Sequence, residues 1–337
     1  MDPSDESWIE FSASKAQANI FHHPAWMTLL AECYGYRPFV AAVINSAGEI
    51  RSGVPMMEIH SHWTGKRWVS LPFSDHCAPL HDDDEALDRL IDFLVCLHQE
   101  RPLQRVELRW TLPDHTFLYS DPHYVLHTLS LDPSPEQVYK RIQRKQRENI
   151  RSAENKGVRI EWGKGIEQLR LFYHLQCLTR RRHGLPVQPW SFFELLWQSI
   201  LEQGLGFLLL AYAGDRCLAG GIFLHWGQTL TYKYAASTEE SRVLRPNHLL
   251  TWTAVRWGCE HGYRNLDFGR SSVEDKGLRT FKNRWGAEEM SLAYTTLSSV
   301  PDKPRGNKVM SAMQRVIRAS PLFVCRAAGE LFYRHFG

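Results

Sequence analysis

Two short stretches hold the residues best suited to chemistry. The first is Leu266-Asp267-Phe268-Gly269-Arg270-Ser271, which reads as a strand and the loop beyond it. In α/β sheets, polar residues just past a strand end tend to face a ligand crevice. Asp267 there could accept a proton or orient an amine. Gly269 would let backbone approach a substrate, and the Arg270 fork suits a carboxylate or phosphate. A helix cap with a surface ion pair would give the same pattern. The second stretch is Gly277-Leu278-Arg279-Thr280-Phe281-Lys282-Asn283-Arg284-Trp285-Gly286. It sets Arg279, Lys282 and Arg284 among Leu278, Phe281 and Trp285. Cations among aromatic rings can grip a phosphate or stabilise a developing oxyanion. Packed aromatics with solvated bases fit these residues as well.

A third group is electrostatic. Ser134 as N-cap, Pro135 at the first helical position and Gln137 as the partner of a capping box predict a helix that runs to Asn155-Lys156-Gly157. Lys140, Arg144, Arg147 and Arg151 then form one stripe, able to meet tRNA phosphates or a lipid pyrophosphate, or simply to face water. On a strand, Tyr232 and Tyr234 flank Lys233, so strict alternation would put both phenols on one face, towards substrate or as core packing. His60 and His62 lack a partner at metal-ligand spacing, so no metal is expected. Asp82-Asp83-Asp84 reads as a helix cap. His76-Cys77 has no recognisable third member of a nucleophilic set. Gly269-Arg270-Ser271-Ser272 lacks the flanking glycines of a nucleophile elbow.

The elements that must position these residues recur. A helix over Pro24 to Cys33, strands Phe39 to Ile44, Ser52 to Ile59 and Arg67 to Leu71, a helix from Glu85 to Gln99 and the strand Arg105 to Arg109 make one set. A helix over Ser191 to Glu202, strands Phe207 to Ala213, Cys217 to Trp226 and Leu230 to Ala236, a helix from Asn247 to His261 and the strand Arg264 to Phe268 make the second. Gly48-Glu49 and Gly214-Asp215 supply the corresponding hairpin turns. This self-similarity predicts a duplicated unit, and hairpins followed by helix and strand predict an α/β (α+β) chain of mixed, largely antiparallel sheets flanked by helices. The expected boundaries are 1–133, 134–300 and an amphipathic tail over 301–337. In that tail Met310, Met313 and Ile317 share a face, with Phe323, Leu331 and Phe336 beyond.

With 43% apolar residues and a net charge of +3, the 337-residue chain is globular and not a globally basic nucleic-acid binder. Seven scattered cysteines, without a Cys-x-x-Cys pair, suggest reduced thiols and a cytoplasmic setting. The start is acidic and lacks a leader-like apolar run, and no stretch is apolar enough to span a bilayer. Any membrane contact would be peripheral, through the Arg- and Phe-containing tail.

Asn247-His248-Leu249-Leu250-x-Trp252, Gly262-Tyr263, Leu266 to Ser271, Gly277-Leu278 and Phe281-Lys282-x-x-Trp285-Gly286, in this order, resemble the C-terminal signature of FemAB-like proteins. Arg144 to Val158 resembles the basic helix that opens their second domain; Phe21-His22-His23-Pro24-x-Trp26 and Leu71-Pro72-Phe73 resemble the first. The resemblance covers about residues 8–297 and implies two tandem GNAT-like domains. It also implies transfer of an acyl or aminoacyl group to an amine of a cell-envelope precursor, related to peptidoglycan or exopolysaccharide. The family's functional Phe-Lys pair falls on Phe281 and Lys282. Lys282 would stabilise the oxyanion or leaving group, Phe281 would shape the pocket, and Asp267 and Arg270 would handle the amine and an anionic acceptor. No cofactor is implied beyond the donor substrate, aminoacyl-tRNA or acyl-CoA. Acetyl-CoA enzymes of the GNAT superfamily carry a glycine-rich pyrophosphate loop, whereas Ser241 to Asn247 has no glycine and Pro246 lacks an N–H. Asp75 to Asp84 is acidic. Both features disfavour CoA. A CoA-dependent N-acyltransferase of polysaccharide synthesis and a non-enzymatic scaffold are the alternatives.

Overall fold

The computed structural model describes residues 1–61, 65–100, 105–297 and 314–335. Strands β1 (Arg37–Ile44), β2 (Ile50–Ser61), β3 (Gly65–Val69) and β5 (Arg105–Leu108) form one unit, with helix α3 (Asp84–Glu100) as crossover and the short β4 (Leu80–His81) on β2. Strands β8 (Gly206–Ala213), β9 (Arg216–Trp226), β10 (Thr229–Ser237) and β11 (Asn265–Ser272) form the second, with α9 (Pro246–Glu260) as crossover. In each unit the last two strands are parallel, β3 with β5 and β10 with β11, and the others antiparallel. The duplicated order is therefore present in space.

The units merge into one twelve-stranded sheet by trading strands. β6 (Leu118–Ser130) follows the first unit in sequence but pairs antiparallel with β11, and β12 (Glu288–Leu297) returns to pair antiparallel with β5. β6 and β12 pair with each other along the seam. β7 (Val158–Trp162) closes the far edge on β8.

Alternation puts Leu208 and Leu210 of β8 in one core and Leu209 and Ala211 in another. The first core lies under α2 (Pro24–Tyr34), α6 (Ile166–His183) and α7 (Trp190–Leu196) and spans both units. There Trp26 of the first unit meets Phe192 of the second edge to face at 6.2 Å. Gly220 and Gly221 of β9 let helices close on both faces: a Cβ would come within 2.8 Å of Phe172 on α6 and of Leu250 on α9, respectively.

Two local expectations change. The single basic helix is two, α4 (Pro135–Arg141) and α5 (Arg144–Asn155), because Ile142 is extended and the Gln143 amide donates to the Arg284 carbonyl instead. Ser134 does not cap: its hydroxyl donates to the Glu136 carboxylate and accepts from no helix amide. In the tail, α11 (residues 314–319) and α12 (Leu322–Phe332) pack on α6 through buried Ile317 and Cys325. Met310, Met313 and Phe336 lie outside the described residues. No described helix is long and apolar enough to cross a membrane.

Candidate functional site

β10 and β11 pair only from Thr229 to Thr231, opposite Asn265 to Asp267. Beyond that point both strands lose register, β10 by a bulge between Tyr232 and Tyr234, β11 between Asp267 and Arg270. The strands part, and a loop of the first unit fills the gap. In it Leu71 and Phe73 take left-handed φ values of 58° and 62°, a conformation that costs side-chain-bearing residues roughly 1 kcal/mol or more each. Three consecutive loop carbonyls are held in return. Lys233 Nζ donates to Phe73 O at 2.7 Å, the Arg109 guanidinium to Ser74 O at 3.0 Å and Tyr294 OH to Asp75 O at 2.7 Å.

The loop delivers Asp75 and His76 to the second unit. Lys233 Nζ lies 3.1 Å from Asp75 Oδ2, and His76 Nε2 lies 2.8 Å from Asp267 Oδ2. Gly269, at φ 68°, is required here: a Cβ would stand 3.0 Å from the Asp75 carboxyl carbon. Burial opposes the charge of Asp75, but Lys233 and Arg270 outweigh it and hold its pKa below the usual range. Burial likewise opposes a charged His76, yet the Asp267 carboxylate raises its pKa.

A cavity of about 480 Å³ opens where the strands part. Arg109, Arg180, Lys233, Arg270 and His183 stand on its wall, with Asp75 as the one carboxylate among its described lining residues. Tyr234 and Tyr333 add phenols. The Arg270 guanidinium lies 4.2 Å from the ring centre of Tyr124 and 5.0 Å from that of Tyr294, which fixes its fork. A smaller hollow of about 260 Å³ adjoins through His183 and is lined by Arg182, Arg242, Arg245, His248 and Asn247.

Of the sequence candidates, Arg270 and Tyr234 line the cavity. Asp267 does not: it is buried, with Oδ1 accepting from the Gly269 amide at 2.7 Å and Oδ2 held by His76. Lys282, on α10 (Lys276–Asn283), is also buried, and its Nζ donates to the carbonyls of Gly269 at 2.7 Å and Arg270 at 3.1 Å. Trp285 is wholly buried against Phe268 and Phe281, so it is core, and Phe281 is partly buried beside it. Arg279 grips Glu289 at 2.7 and 2.9 Å. The two phenols do not share a face. The extra residue at Lys233 turns Tyr232 onto Phe223 in the α9 core and Tyr234 onto Phe193 in the core beneath α6 and α7. The break at Ile142 also divides the basic stripe. Lys140 is on α4; on α5 Arg144 pairs with Glu148, Arg147 donates to the Lys140 carbonyl at 2.9 Å, and Arg151 is exposed.

Asp75, His76, Lys233, Arg109 and Arg180 were not singled out by sequence. Nothing local marks a bulge at Lys233 or a left-handed Phe73. In the sequence His76 stands out only as the neighbour of Cys77, whose thiol burial drives well above its ordinary pKa.

Burial pulls the Lys282 pKa down to about 8 from 10.5, against Asp75 and Asp267. Between those values the unfolded chain keeps a proton that the folded chain has lost, so Lys282 makes stability rise with pH there. Urea unfolding of wild type and Lys282→Met at pH 8 and pH 10 should show that rise reduced in the variant. Equal pH dependence would contradict the assignment.

Residues 140–283 match the family described as an acetyltransferase (GNAT) domain. A lipid II:glycine glycyltransferase of Staphylococcus haemolyticus (strain JCSC1435) is 21% identical over 238 residues, covering 50% of this chain and 56% of that protein. The chain thus spans about half the length of this curated relative. The crystal structure of FemX is similar in fold, with a TM-score of 0.69 at 16% identity over 87% of this chain and 95% of that one. A tandem GNAT protein from the clavulanic acid biosynthesis pathway gives a TM-score of 0.54 at 9% identity, over 90% and 98% of the two chains. Residues 140–283 thus match a GNAT-type domain, and the two strand-traded units share their fold with FemX and with a tandem GNAT protein.

Proposed function

We propose that this chain transfers an aminoacyl or acyl group to an amine of a cell-envelope precursor, in the cavity between its two units. The observation that carries this reading is the wall itself: three arginines, Lys233 and one carboxylate, at the point where two parallel strands part. An anionic precursor suits Arg109, Arg180 and Arg270, whose forks bind phosphate or carboxylate. Its amine, arriving as ammonium, suits Asp75. Once the ammonium has given one proton to solvent at the open cavity mouth, the neutral nitrogen attacks the activated carbonyl carbon. The C–N bond forms, the C–O bond to the donor breaks, and the amine's proton leaves with the donor oxygen. Holding both reactants supplies much of the rate.

The adjoining hollow suits the donor's phosphates. α9 begins at Pro246, without an N–H, after Arg245 in a left-handed turn. Side-chain cations (Arg182, Arg242 and Arg245) therefore stand where a glycine-rich loop would offer backbone amides. That favours aminoacyl-tRNA over acyl-CoA, with exposed Lys140, Arg144 and Arg151 available to tRNA phosphates and Arg147 holding α4 beneath them. In this reading Lys282, Asp267 and Gly269 shape the strand end that carries Arg270. Phe281, Tyr232 and Trp285 back it, and Arg279 braces it through Glu289. The chain works in the cytoplasm, and exposed Phe323 and Leu331 of α12 can rest on the inner membrane face.

The test is a donor screen on purified protein with lipid II as acceptor, comparing charged tRNAs with acyl-CoAs. Transfer from a charged tRNA is expected. Transfer from acyl-CoA alone would overturn the donor assignment, and no transfer from either would overturn the reading.

A further inference from the structure

Resting on that transfer reading, we infer that Lys233 is the cation that meets the developing oxyanion, and that Lys282 is a positioning residue. Lys282 is buried and the Lys233 side chain is largely shielded, but only Lys233 belongs to the cavity wall. Lys282 spends two donors on the carbonyls of Gly269 and Arg270, thirteen and twelve residues away, and so fixes the strand end from behind.

Lys233 is built for an electrophilic role. An ammonium has three donors. Two are fixed by Phe73 O and Asp75 Oδ2, which aim the group and leave a third with no hydrogen-bond acceptor recorded among the described residues. Its side chain is 6% exposed, and the rings of Phe21, Trp26 and Tyr234 lie 5.1, 5.5 and 5.4 Å from Nζ. Charge in such a water-poor setting acts more strongly on a forming oxyanion than it would in solvent. The neighbouring Asp75 would hold the acceptor's ammonium. The pair thus brings a nucleophile site and an electrophile site about one ion-pair distance apart. As the amine nitrogen bonds to the carbonyl carbon, the carbonyl electron pair moves onto oxygen beside Lys233. It returns as the donor oxygen leaves with the amine's proton; Lys233 keeps its own protons throughout.

The bulge is what makes this placement. In a regular strand Lys233 would take its place in the alternation between Tyr232 and Tyr234; as the unpaired residue between them it reaches the first unit's loop instead. A lysine that only held the loop would act on folding and substrate affinity, not on turnover.

The experiment measures kcat and KM for lipid II, and the melting temperature, in wild type, Lys233→Met, Lys233→Arg and Lys282→Met, using the charged tRNA that supports transfer. Lys233→Met should lower kcat by about 10²–10³-fold, with KM changed less than about threefold. Lys233→Arg, which keeps a cationic donor, should recover part of the loss. Wild-type kcat in Lys233→Met, or a loss carried entirely by KM and melting temperature without recovery in Lys233→Arg, would overturn the role of Lys233 alone. A larger kcat loss in Lys282→Met at unchanged melting temperature would return the role to Lys282. Wild type inactive with every donor would overturn the transfer reading and this inference with it.

Discussion

Asp267→Ala should cost about 3–5 kcal/mol of stability, the usual cost of breaking a buried ion pair by deleting one member. Asp267 is 3% exposed and His76 8%. The substitution leaves the His76 ring and the Gly269 amide facing a gap where the carboxylate was. The cost should depend on pH with a definite sign. In wild type Asp267 raises the His76 pKa above its unfolded value, so this contribution is fully present below about pH 6.5 and fades as pH rises through the raised value. In the variant, burial and Lys233 oppose the imidazolium, while Asp75, which favours it, is already engaged by Lys233. The penalty should therefore be larger at pH 5.5 than at pH 8.5, as read by urea unfolding. An equal penalty at both, or none, would contradict the pairing. Transfer should fall by about 10²-fold as well, because Arg270 follows Asp267 by three residues and loses its fixed position.

The duplicated unit was legible because hairpin turns and apolar alternation are local. Gly48 and Gly214 both take left-handed φ, as the paired turns require. The α/β class followed from the same pattern, and Asp83 does cap α3, accepting from the Ala86 amide at 2.8 Å. Trading β6 for β12 was not legible, since no local pattern tells a strand which of two like neighbours to join. Splitting the basic helix at Ile142 was also hidden: neither Pro nor Gly marks the break, which is held from a distance by Arg284.

The site was half legible for a related reason. Arg270 and Tyr234 belong to strand ends that the pattern already located, and both reach the cavity. Asp267 carried the right chemistry at the right strand end, but its two oxygens are claimed by groups 191 and 2 residues away. Lys282 stands in the motif Phe281-Lys282-x-x-Trp285-Gly286, and its position explains that motif differently. It ties α10 to the Gly269–Arg270 carbonyls, so the geometry of Arg270 depends on it. Conversely, the acidity that Asp75 adds to its loop is offset by Lys233, so the loop joins a largely cationic wall where its composition alone suggested repulsion.

In the proposed reaction, transfer takes place in the cavity between the units. Ala235 lines that cavity from β10 and is exposed, so Trp at this position occupies cavity space without displacing core side chains. The most direct measurement is therefore the rate of lipid II modification by Ala235→Trp, with melting temperature as the control. Filling the space should lower transfer by about 10²-fold or more, since even small displacements of reacting groups are that costly, while the melting temperature stays at the wild-type value. An Ala235→Trp protein that folds normally and transfers at the wild-type rate would place the chemistry elsewhere.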